Sequence, residues 1–349
     1  MSGIDSLPSM FFMGLIGAYD VFLSNLIRLI FTARPELLST SERNISLKDL
    51  IEIGSIEAAR ERIIEKKVET VIRKSHPEQI EWLAGKLNVP LTKDLQIWPE
   101  FVELCERRNL LTHTSGIVSA QYLKVCQEHG CSVEDTQVGH KLKITAPYYR
   151  NAVQIIREFG MKLIQVVWRK LTPEDINSAD SELNGFAYRL ITRRRYKAAS
   201  TMLRFGLYEM KKHGSDAVRK MMVVNYANAI KLGGDRVQAA KILDDEDWSA
   251  STDDYRVCVA AVKGETATVV RMMKAVVESE KMKVEHFREW PVFETMRADS
   301  EFASAFEQQF GEKLMVDTEA RLADTTTTDD DDVAGAEEVG PRQNTETIH

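Results

Sequence analysis

Three side chains in the stretch Trp98–Gly116 have the types and spacing to do chemistry together: Arg108, Asn109 and His113. Histidine exchanges a proton near neutral pH, arginine offers a planar fork of donors to anionic oxygens, and an asparagine amide can orient either one. A base or acid beside a fixed cation suits transfer chemistry at a phosphate ester, where a proton must move and negative charge must be held. On a helix of about 100° per residue, Phe101, Leu104, Cys105 and Leu111 form one apolar stripe. Arg108 falls inside that stripe, with Asn109 and His113 one turn apart at its edge. An arginine there needs a buried acid, and Glu103, Glu106 and Asp20 are the candidates to support it. Arg107, next door, reads as a second phosphate contact or a solvated charge.

The run E-R-R-N-L-L-T-H-T-S-G-I-V resembles prokaryotic members of the HEPN superfamily, through an R-N-x3-H form of its R-x4–6-H motif. The resemblance covers roughly residues 8–171, and the hexapeptide Arg108–His113 carries most of it. It implies a helical nuclease domain and a metal-independent endoribonuclease that needs no cofactor. The 2′-OH would attack the phosphate, leaving a 2′,3′-cyclic phosphate and a 5′-OH. It also implies a homodimer through the N-terminal domain, with the motif helices of two protomers building a composite site, and a role as a toxin or phage-defence effector. One protomer offers one such histidine in the motif, whereas cleavage wants an acid and a base; a two-fold dimer doubles the set. Ser115 stands where one HEPN subgroup has a tyrosine two residues after the histidine, so that toxin type is disfavoured. The alternative is a catalytically silent HEPN scaffold or a nucleotide-sensing module whose repeats bind a protein partner.

The elements that must hold these residues read as helical throughout. Phe11, Phe12, Leu15, Ile16, Tyr19, Phe22, Leu23, Leu26, Ile27 and Ile30 recur at helical spacing until Pro35. Asp20, Asn25 and Arg28 interrupt that run before a membrane span forms, so it reads as a buried amphipathic helix, with no membrane partner. Ser46 caps a short helix ending near Gly54, Ser55 opens a longer one, and Pro77 another that closes at Asn88-Val89-Pro90. Pro99 opens the motif helix and Gly116 stops it. Helical spacing returns over 119–128, a small hairpin around Gly139 fits residues 131–145, and a long helix covers about 147–170.

Thr172-Pro173-Glu174-Asp175 marks a boundary, giving a domain at 1–171, a linker at 172–181, and α-hairpin repeats at 182–316. The repeats pair 182–193 with 196–212, 216–231 with 235–244, and 253–263 with 266–279, closed by 287–297 and 300–310. They resemble degenerate tetratricopeptide repeats, with Ala187, Ala199, Ala229, Ala240, Ala261 and Ala267 where helices approach closely. Arg193, Arg194 and Arg195, in the first turn of this region, are candidate RNA contacts, and the stack is a candidate site for a regulatory protein.

From Asp317 onward ten acids face Arg321 and Arg342, a charge of −8. Taken from the net −7, this leaves residues 1–316 near +1, a balance compatible with an RNA partner. Residues 317–349 read as a disordered acidic tail. Four cysteines in 349 residues make no disulfide framework and fit a reducing cytoplasm. Cys126, His129 and Cys131 lack the further ligands of a zinc site, so no metal is expected. The whole reads as an all-α protein.

Overall fold

The computed structural model describes residues 7–38, 46–133 and 136–314; the acidic tail lies outside them. The architecture is all-α, with no strand among the described residues. The described residues form two compact units, divided between Asp247 and Trp248.

In the first unit, α1 (Leu7–Ala33) crosses the bundle and buries Phe12, Ile16, Tyr19, Leu23, Ile27 and Ile30. Its length and composition would also suit a membrane crossing. Asp20, Asn25 and Arg28 lie within it and do not break the apolar run below that length. Ser46 accepts from the Asp49 N–H to start α2 (Leu47–Ile53), and Gly54 ends it with φ 87°. Ser55 likewise opens α3 (Ile56–Ile72). A reciprocal Ser75–Glu78 capping box opens α4 (His76–Leu87), which Asn88 closes in the left-handed conformation.

The motif helix α5 (Trp98–Thr114) has Pro99 in its first turn, and its left-handed cap is Ser115, with Gly116 after it. Gly116 has φ 84°, and a Cβ there would lie 2.8 Å from the Leu142 carbonyl oxygen. That closeness explains the segment after α6 (Ala120–Glu128). Instead of folding on itself as a hairpin, it pairs with the chain leaving α5, through a bridge between Ile117 and Lys141. The N–H of Val118 donates to His140 O (2.9 Å) and that of Leu142 to Gly116 O (2.9 Å). The long helix α7 (Ala146–Leu171) closes the bundle. Its Phe159 stacks on Phe101 of α5 at 4.0 Å, with Tyr19 edge-on to Phe101 at 5.0 Å, so three helices share one aromatic core.

Two expectations about the boundary change. A single 3₁₀ turn (Pro173–Asp175) joins α7 to α8 (Ile176–Thr192), so residues 176–181 are helix rather than linker. The compact unit also runs on to Asp247, well beyond 171–181. The physical reason is visible at Asp180, which is fully buried: it accepts from Arg169 of α7 and from the Gly214 N–H (2.8 Å). Beyond α8 come α9 (Tyr196–Arg204), a π turn over Phe205–Glu209, α10 (Asp216–Leu232) and α11 (Arg236–Asp244), packed as successive hairpins. Ala187, Ala199 and Ala229 are buried where these helices meet; in α11 the close-packed alanine is Ala239, one residue before the expected Ala240.

The second unit pairs α12 (Asp253–Lys263) with α13 (Thr266–Glu278), then packs α14 (Val284–Glu289) and α15 (Ser300–Phe310) around Phe287, Phe293, Phe302 and Phe306. Pro291 stops α14, so residues 287–297 are a short helix and two 3₁₀ turns rather than one helix. Ala261 is buried here, while Ala267 is exposed.

Candidate active site

Helix α5 buries Phe101, Val102, Leu104, Cys105 and Leu110, which leaves the side bearing Arg108, Asn109 and His113 facing a cleft of 420 Å³. The segment Ile72–His76 and Gln79 of α4 form the opposite wall, and Ser119, Gln121 and Tyr122 close one end. Arg73, Lys74 and Arg108 give the cleft three permanent cations, against the carboxyl of Glu106. Such a lining suits an anionic ligand.

Arg108 is three-quarters covered, and its acid comes from another helix. Its Nη2 donates to Asp20 Oδ2 of α1 at 3.2 Å. The other oxygen, Oδ1, accepts from His76 Nε2 at 2.9 Å. One carboxylate thus holds a guanidinium and an imidazole whose nitrogens lie 3.5 Å apart. An ionised carboxylate cannot donate, so the Nε2 of His76 carries the hydrogen. Asp20 therefore supports Arg108 as the sequence suggests, while His76 is a site residue that sequence reasoning missed. Its signal, a Ser-His-Pro-Glu cap, reads as a helix start and nothing more.

Glu103 and Glu106 do not hold Arg108. Glu103 accepts from Arg107 Nε (2.7 Å) and from the hydroxyls of Tyr122 (2.8 Å) and Tyr148 (2.6 Å). Burial pushes both tyrosine hydroxyls well above their usual range, and the adjacent Glu103 charge adds to it. Arg107 lies 4.1 Å over the Tyr148 ring and pairs with Glu103, so it is not a solvated charge: it braces α5 against α7. Glu106 is buried and accepts from Asn109 Nδ2 at 3.0 Å. Burial pushes its carboxyl up; the Asn109 hydrogen bond and the His76 and Arg108 charges offset part of this. Asn109 thus spends one of its two amide N–H donors on Glu106.

Comparison with known families, with curated proteins and with solved structures finds no match to this chain.

His113 is exposed on the rim of the cleft, at the C-terminal end of α5, open to solvent and to a ligand. Arg193, Arg194 and Arg195 lie in the turn between α8 and α9 and are not among the residues that line the cleft. Arg193 and Arg194 are exposed, and Arg194 adopts φ 56° to close the turn. Cys131 donates its thiol to the Pro99 carbonyl (3.1 Å), tying the chain after α6 to the start of α5. Among the described residues, no three His, Cys, Asp or Glu side chains come together as metal ligands.

Proposed function

We propose that this protein is a metal-independent endoribonuclease of the HEPN type, with its active centre in the α5 cleft of the N-terminal helical bundle. The observation that carries the reading is the convergence of a carboxylate-anchored Arg108 and an accessible His113 on one cation-rich cleft. Arg108 is held at two ends, by its helix and by Asp20, so its remaining donors are preorganised for the non-bridging oxygens of a phosphodiester. His113, free of a carboxylate partner, takes the 2′-OH proton. The products are a 2′,3′-cyclic phosphate and a 5′-OH.

The α-hairpins that follow are of tetratricopeptide type in this reading and serve recognition or regulation, a division that fits a toxin or phage-defence effector working in the cytoplasm. The quaternary arrangement we propose is a homodimer through the outer face of α1. There Leu7, Met10, Phe11, Val21 and Leu29 are exposed on either side of the small residues Gly14 and Ala18, a seam on which a second copy can pack closely.

The experiment is incubation of end-labelled RNA with the full chain, with and without EDTA. Cleavage that survives EDTA and leaves a cyclic phosphate is the expected result. Wild-type protein that binds but never cuts RNA would favour the silent scaffold instead.

A further inference from the structure

Resting on that ribonuclease reading, we infer that His76 is the second proton-transfer group of the site, the general acid that protonates the leaving 5′ oxygen. One protomer then holds both halves of the proton exchange, and a neighbouring subunit need not supply a histidine.

Three observations carry this. His76 is 4% exposed, yet it lines the same cleft as Arg108 and His113. Its Nε2 is 3.5 Å from Arg108 Nη2, so a phosphate held by Arg108 lies beside the imidazole. Asp20 engages Nε2 at 2.9 Å, which fixes the ring and commits that hydrogen, leaving Nδ1 as the nitrogen that exchanges a proton. A carboxylate orienting one imidazole nitrogen while the other does the chemistry is a recurrent way to build an acid or base.

The surroundings divide the two histidines by role. Facing His76 are Asp20 from α1, and Arg108 and the buried Glu106 from α5, with the Tyr19 ring 6.0 Å away. The Asp20 carboxylate lies directly against the His76 ring and is the partner that holds it. His113 stands in solvent on the rim and is the natural base. In the step, the 2′ oxygen bonds to phosphorus as its proton passes to His113. The bond from phosphorus to the 5′ oxygen breaks, and the His76 Nδ1 proton passes to that oxygen. Water exchange then returns both rings to their starting states, and no further reactant is consumed.

The test uses the full chain and an RNA oligonucleotide that wild type cuts, remade with sulfur in place of the bridging 5′ oxygen at the cut linkage. A thiolate leaves without being protonated, so it does not need the acid. His76→Gln should slow cleavage of the oxygen linkage by about 10²–10⁴ and leave the sulfur linkage within a few-fold of wild type. Equal slowing of both linkages, or no slowing of either, overturns the assignment while leaving the ribonuclease reading intact. If wild type cuts no RNA, both fall. Where melting shows His76→Gln to be unfolded, Asp20→Asn carries the same comparison. Loss of the oriented acid is rescued by sulfur, whereas loss through Arg108 slows both linkages alike. Mixing His76→Gln with His113→Ala protein should restore nothing, and restored cleavage would overturn the single-protomer site.

Discussion

Asp20 Oδ2 and Arg108 Nη2 lie 3.2 Å apart although 88 residues separate them in the chain. This contact closes the bundle across its site: α1 supplies the anion, α5 the guanidinium and α4 the imidazole that shares it. Removing the carboxylate strands two donors at once. Both partners are about a quarter exposed, so the cost is below that of a fully buried pair. Asp20→Asn should destabilise the protein by about 1–3 kcal/mol and lower cleavage as well. An unchanged melting temperature would show that the pair anchors nothing.

His113 and Arg108 should separate activity from stability. His113→Ala, at an exposed position, should change stability by less than about 0.5 kcal/mol and abolish cleavage. Arg108→Ala should reduce cleavage by about 10²–10³ and also lower the melting temperature, because Asp20 loses its guanidinium. Paired melting curves and initial rates on one RNA check both statements.

Glu106 predicts a pH dependence of stability. Burial raises its carboxyl above the ordinary range, so the folded protein holds that proton more tightly than the unfolded chain does. Its contribution is fully present below the unfolded carboxylate value of about 4.3 and is lost as pH rises through the higher folded value. Glu106→Gln keeps an acceptor for Asn109 and cannot ionise. It should match wild type at pH 4 and exceed it at pH 8, in urea midpoints measured across that window. A difference that grows toward acid pH would refute this account.

The outer face of α1 should control assembly. Wild-type full chain should sediment as a dimer, and Val21→Glu, which puts a charge at a position 61% exposed, should sediment as a monomer with unchanged helicity. A wild-type monomer would dispose of the proposed interface.

Much of the helical framework could be read from local signals. Ser46, Ser55, Pro77 and Pro99 announce their helices because a cap or a first-turn proline acts within four residues of itself. The same locality made Arg108 legible as an arginine in an apolar stripe that needed an acid, and Asp20 as one acid that could serve. Only the tertiary structure decided which carboxylate serves which donor. Glu103 and Glu106 are near Arg108 in the chain, but their positions on α5 turn them toward Arg107 and the two tyrosines, and toward Asn109. His76 shows the limit most plainly. Its place in the site depends on a 2.9 Å contact with a residue 56 positions earlier, and helix packing rather than any local pattern brings the two together. The segment after α6 failed as a hairpin for the same reason: its backbone partner is the chain beyond α5, reached through Gly116. The sequence by itself determined most of the helices and which side chains the motif carries; pairing across helices, set by how the shared aromatic core packs, determined which of them meet in the cleft.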